Sequence, residues 1–77
     1  MFTVYSISSI ERKYIYVGLT SDLDRRLEEH NSGKNKTIKP YRPFVLIYKK
    51  ICSTRREARD FEKYLKSGIG KEFLKSL

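Results

Sequence analysis

Five side chains in this sequence have the chemistry to act together on a phosphodiester: Tyr5, Tyr16, Arg26, His30 and Glu62. Hydrolysis of such a bond needs an activated water and cations to meet the charge that builds on the phosphate. It commonly also needs a metal held by oxygen ligands. The planar fork of arginine matches the nonbridging oxygens. One carboxylate, completed by waters and substrate oxygens, is an ordinary way of holding Mg²⁺. A phenol with a reference pKa of about 10 is a weak base alone, but nearby positive charge favours the phenolate. Each residue also has a plainer role: tyrosines pack in strands, Glu62 can pair with Arg26, and an arginine and a histidine four apart can share a helix surface without function. Only their convergence points to phosphoryl chemistry.

The elements must therefore bring them together. Residues 2–8 and 13–18 alternate as two strands around a turn at Ser9–Arg12. An antiparallel hairpin in that register sets Tyr5 opposite Tyr16, Ile7 opposite Tyr14 and Val4 opposite Val17. One face then carries Tyr5, Ile7, Tyr14 and Tyr16, and the other Phe2, Val4, Ile15 and Val17, which suits a sheet covered on both sides. Gly18 is expected to end the second strand. The stretch TSDLDRRLEEHNSG reads as a helix with Ser21 as N-cap and Gly33 as its stop. With Leu23 as origin, Leu27 falls at about +40°, His30 at about −20° and Arg26 at about −60°, while Arg25 points away at about 200°. Helical spacing thus selects Arg26 over its neighbour.

Residues 34–43, KNKTIKPYRP, form a basic loop in which Lys34, Lys36, Lys39 and Arg42 either grip phosphates or make a solvated connection. FVLIYKKI reads as a buried strand at the middle of a sheet, with Cys52 closing it as a small hydrophobe. STRREARDFEKYLKSG is a helix opened by a Thr54–Glu57 capping box and closed by Gly68. Taking Ala58 as origin, Leu65 lies at about −20°, Phe61 at about −60° and Glu62 at about +40°. Glu62 is thus the acid on the inward side, whereas Glu57 and Asp60 point outward. The final IGKEFLKSL offers Phe73, Leu74 and Leu77 as a short helical cap.

The 77 residues amount to one small domain, residues 1–77, with a thin core. Seventeen Lys and Arg against nine Asp and Glu leave a net charge of +8, a surplus that favours polyanions through phosphate contacts and counterion release. One cysteine and one histidine exclude an internal disulfide and a four-ligand zinc site. No apolar run approaches a membrane span, no leader pattern opens the chain, and the cytoplasm is the expected compartment.

Taken in order, these pieces resemble the GIY-YIG nuclease domain, found in the excinuclease of nucleotide-excision repair, in homing endonucleases and in small stand-alone bacterial proteins. The resemblance runs over about residues 2–75, with TVY and YVG as the two motif strands and Tyr5 and Tyr16 as their tyrosines. Arg26 and His30 fall on the functional positions of GLTSDLDRRLEEHNSG, RPFVLIY matches the third strand, and EARDFEKYLK carries the glutamate at Glu62. It implies an α+β fold, a three-stranded antiparallel sheet flanked by helices. It also implies hydrolysis of DNA with one divalent ion, Mg²⁺ or Mn²⁺, at low sequence specificity, in repair or recombination. By the same resemblance Glu62 would hold the metal, Arg26 would stabilise the phosphate, and Tyr5 would act as base or orient the water, supported by Tyr16 and His30. Two departures stand out: Thr-Val replaces the first motif's Gly-Ile, and no asparagine follows Asn35, where many members carry one after the glutamate helix. The alternative is a non-catalytic nucleic-acid-binding module on the same fold. With no separate DNA-reading domain in this sequence, substrate choice would come from DNA structure, a protein partner or a homodimer.

Overall fold

Val4, Tyr5, Ser6 and Ile7 are four consecutive residues and all are buried, which demands cover on both faces and a neighbour at each edge. The computed structural model describes Met1–Leu77 and places them in the first strand, β1 (Phe2–Ser9). β1 pairs antiparallel with β2 (Ile15–Thr20) on one side and with β3 (Phe44–Cys52) on the other, so the strand order is β2-β1-β3. The helices are α1 (Leu23–Ser32), α2 (Arg55–Lys66) and α3 (Gly68–Lys75), with a 3₁₀ turn at Lys39–Tyr41. The expected three-stranded antiparallel α+β fold is present, but its middle strand is β1, not the FVLIYKKI segment. β3 is an edge strand, and Val45 and Ile51 are 49% and 59% exposed on it. Ser6 and Ser8 break the apolar run of β1, so continuity of hydrophobic residues points to the wrong strand.

The hairpin register also differs from the expected one. Ser9 remains in the strand, its Oγ accepting a hydrogen bond from the Arg12 amide at 3.1 Å, and its own amide donates to Tyr14 O at 2.9 Å. The turn therefore begins one residue later, at Ile10, and each strand slides by one. Tyr5 faces Gly18 and Ile7 faces Tyr16. A relative slide of two residues preserves side-chain parity, so the two faces keep their membership. Tyr5 and Ile7 form one core with Ile38 and Phe44, against which Tyr14, Tyr16, Leu23 and Leu27 pack. Val4 and Val17 form the other with Cys52, Ala58, Leu65 and Leu74.

α1 covers the Tyr5 face. Asp22, rather than Ser21, is its N-cap, accepting from the Arg25 amide at 3.2 Å, and Gly33 ends it in the left-handed region at φ 82°. Asn31 ties the helix end to β3, accepting from Phe44 N at 2.7 Å and donating to Phe44 O at 3.4 Å. α2 covers the other face and begins as expected, with Thr54 accepting from the Glu57 amide. It ends at Ser67 rather than Gly68. Ser67 closes α2 through its amide and caps α3 through its hydroxyl, so Gly68 opens the next helix instead of stopping the last.

Candidate active site

Tyr5 stands at the centre of the sheet because β1 is central, and its ring is wholly buried because its cross-strand neighbour has no side chain. A Cβ on Gly18 would lie 2.5 Å from Tyr5 Cζ and 2.9 Å from Cε1, inside any permitted contact. Gly18 is thus a mid-strand residue that leaves room for the tyrosine, and β2 continues through it to Thr20.

The freed space lets Tyr5 reach α1. Its hydroxyl lies 2.7 Å from His30 Nε2, and Tyr16 leans on both rings, with centroids 6.4 Å from Tyr5 and 5.0 Å from His30. Burial first, and then the charge of Arg26, push His30 below the usual imidazole range, against a smaller pull from Glu29. The ring is therefore neutral at neutral pH. Its Nδ1 is buried without a partner. A bare lone pair there costs less than a bare N–H, which favours the proton on Nε2, donated to the Tyr5 oxygen.

Arg26 borders this group at 37% exposure, while Arg25 is 71% exposed, as the helical spacing requires. One arm of Arg26 donates to Glu29 Oε1 at 3.0 Å, and the guanidinium lies near enough to the Tyr5 hydroxyl to act on its pKa. Burial raises the Tyr5 pKa above the usual phenol value, Arg26 pulls it back, and the charges of Tyr16 and Glu62 add to the rise. Tyr5 is a neutral phenol in the resting protein. Glu62, on α2, is close enough to be felt there, although α2 packs on the opposite sheet face. Its carboxylate is 21% exposed and pairs with Lys66 Nζ at 3.5 Å, not with Arg26. The idea that Arg26 and Glu62 merely neutralise each other is therefore overturned, since each has another partner.

No three His, Cys, Asp or Glu side chains gather as a metal cage. A single partly exposed carboxylate with no other acid gathered around it fits a hard cation that keeps most of its waters, and does not fit a protein-caged ion. The basic loop holds to the Tyr5 face through Ile38, which is buried in the same core. Lys34, Lys36, Lys39 and Arg42 extend from it, with the Arg42 guanidinium folded against Gly33 at the end of α1. Tyr14 serves packing, stacked on Tyr41 with centroids 4.1 Å apart.

Three further residues around the site give a weak signal in the sequence or none. Glu29 stands three residues after Arg26 and four after Arg25, spacing that marks a helical ion-pair partner. Asn31 gives no local signal, because its partner Phe44 is distant in the chain. Nor does Arg55, which shares with Arg26 and Thr20 a depression of about 300 Å³ between the starts of α1 and α2.

A family model described as the GIY-YIG catalytic domain matches residues 1–73. Relatives include the UPF0213 protein YazA of Bacillus subtilis, 46% identical over 52 residues, which make up 66% of this chain and 52% of YazA. A UPF0213 protein of Staphylococcus haemolyticus is 34% identical over 82% of this chain and 78% of its own. The solution structure of a UPF0213 protein from Bacillus halodurans superposes with a TM-score of 0.58 at 34% identity, over 99% of this chain and 84% of that one. The chain thus spans about half the length of YazA.

Proposed function

The chain belongs to the GIY-YIG catalytic-domain family, and from that premise we propose that it is a metal-dependent DNA endonuclease of low sequence specificity. The observation that carries the reading is the contact of Tyr5 with His30, with Arg26 and Glu62 both within electrostatic reach of the same hydroxyl.

In hydrolysis, water oxygen attacks phosphorus, the water loses a proton, and the departing sugar oxygen gains one. Positive charge at the site would let Tyr5 release its own phenolic proton to solvent; as phenolate it then orients that water and accepts its proton, while a second water protonates the departing sugar oxygen. The Tyr5 oxygen takes a hydrogen bond from His30 Nε2–H and feels the charge of Arg26, two interactions that strengthen as the oxygen becomes negative. Tyr16 holds His30 in place by ring contact. Arg26 has five N–H donors, and those not directed at Glu29 meet the nonbridging oxygens of the phosphate. Glu62 would hold the divalent cation, Mg²⁺ or Mn²⁺, releasing Lys66 as it does so. When bound, the ion would supply positive charge that offsets the burial of Tyr5 and polarises the phosphate. Lys34, Lys36, Lys39 and Arg42 would track the DNA backbone on the same face. Choice of substrate falls to DNA structure or to a protein partner, consistent with work on branched or damaged DNA in repair or recombination.

The test is nicking of flapped, branched and damaged DNA with Mg²⁺ or Mn²⁺, wild type against Glu62→Ala. Loss of activity by roughly a hundredfold or more in the variant is expected; equal activity in both would remove Glu62 from the reaction. A second reading, a nucleic-acid-binding module without catalysis, is favoured by the lack of any asparagine after Asn35. Salt-dependent DNA binding with no cleavage on any of these substrates would decide for it.

A further inference from the structure

A second opening lies away from the Tyr5–His30 contact. A groove of about 920 Å³ runs between the β1–β2 turn and α3. Arg12, Lys13, Lys66, Lys71 and Lys75 line it, and no acidic residue does. Lys66 and Lys75 have carboxylate partners, Glu62 at 3.5 Å and Glu72 at 3.9 Å, whereas Arg12, Lys13 and Lys71 have none. Its floor is apolar, made by Ile15, Val17, Ile47 and Leu74 from the α2-side core. Ile15 and Ile47 are only partly covered there, so the floor has apolar surface to offer.

This groove meets the candidate site at two points. Tyr16 lines it around the open edge of β2, and Lys66 is the ion-pair partner of Glu62. A polyanion leaving the site past Tyr16 would enter it directly. The combination of a cationic rim and an apolar floor also selects among polyanions. A duplex hides its base faces and would leave the floor uncovered. An unpaired strand presents phosphates to the rim and base faces to the floor; single-strand sites commonly stack such faces on aromatic rings, and here Tyr14 and Tyr16 line the groove beside the aliphatic floor.

We propose that the groove is a second nucleic-acid subsite, taking an unpaired segment that leads away from the phosphodiester held at Tyr5, Arg26 and Glu62. The inference rests on the nucleic-acid reading above but not on catalysis. Lys13 and Lys71 grip the segment's phosphates. Lys66 belongs to both places, so a phosphate in the groove draws it from Glu62 and leaves that carboxylate free.

The experiment is a metal-free titration of the full chain with a deoxythymidine oligonucleotide of about eight residues, followed by methyl and amide chemical shifts. Shifts at Ile15, Val17 and Leu74 are expected, together with roughly tenfold weaker binding by the Lys13→Gln/Lys71→Gln double variant. Its salt dependence should be shallower by about 1.4 in slope, at about 0.7 per lost single-strand phosphate contact. Both lysines are exposed, so the variant keeps the wild-type melting temperature. Binding that moves only the residues around Arg26 and the 34–43 loop would overturn the proposal, as would a double variant with wild-type affinity and slope. Oligoglutamate of equal charge binding the groove as tightly would also overturn it, reassigning the groove to acidic peptides. Absence of DNA cleavage by the wild type would count against the endonuclease alone and leave the groove result standing.

Discussion

Gly18→Ala is a one-carbon change that reaches the centre of the site without replacing any of the proposed reacting groups. The added carbon would lie 2.5 Å from Tyr5 Cζ, whereas unstrained carbons sit at about 3.5 Å or more. The ring must therefore retreat by about 1 Å. It has little freedom to do so, being fully buried and tied to His30 at 2.7 Å. Overpacking of this kind costs about 1–3 kcal/mol, and the stiffer unfolded chain of alanine returns about 0.5–1 kcal/mol. A net loss of about 1–2 kcal/mol lowers the melting temperature of a domain this size by roughly 5–15 °C. Displacement of about 1 Å at a reacting group is also enough to reduce turnover by roughly a hundredfold. Thermal denaturation by circular dichroism and the nicking assay read the two effects separately. In a Tyr5→Leu background the obstructing ring atoms are gone, so the same alanine should become neutral or mildly stabilising. A Gly18→Ala protein with wild-type melting and unmoved Tyr5 and His30 resonances would refute the close-approach argument.

Further outcomes follow from the same geometry. Because burial and Arg26 hold His30 below the reference value of 6.5, the unfolded chain takes up a proton first as pH falls. The stability linked to His30 is full above about pH 6.5 and drains below it, by at most ~1.4 kcal/mol per pH unit until the native pKa is reached; denaturation midpoints between neutral and mildly acid pH should show that slope, and His30→Gln should flatten it. Arg55→Ala should weaken DNA binding and reduce its salt slope by about 0.9, the share of one duplex phosphate contact, with melting unchanged because Arg55 is exposed; an unchanged slope would remove Arg55 from the phosphate path.

What the sequence reveals and what it conceals divide along a physical line. Period-two and period-3.6 patterns depend on which way side chains point, and those directions hold: the two faces of β1 and β2, Arg26 inward of Arg25, and Glu62 on the covered side of α2. The differences concern competition between neighbouring residues for one backbone group. Ser9 wins an amide that a shorter strand would leave to the turn, Asp22 outcompetes Ser21 for the cap, and Ser67 serves two helices. Each difference is of the order of a single hydrogen bond, about 1 kcal/mol, and propensity alone does not resolve it. Strand order is hidden for another reason. Central position is decided by what packs above and below, and serines on β1 carry no record of that in their own polarity.

The Asn31 amide has an effect that reaches beyond α1 and β3. By gripping both backbone groups of Phe44, it fastens together the two ends of the connection that carries Lys34, Lys36, Lys39 and Arg42. Variation within that connection is thereby insulated from the Tyr5–His30 contact, which sits just behind the clasp. Doubling a flexible loop's length costs only about 0.6 kcal/mol in closure entropy, so the segment can be recut in length and charge at little expense to the fold. One condition limits the exchange: a replacement must still supply an apolar plug where Ile38 now sits beneath the surface. On the proposed function, the basic loop would be a detachable reader, mounted on a chemical site that does not depend on what it reads.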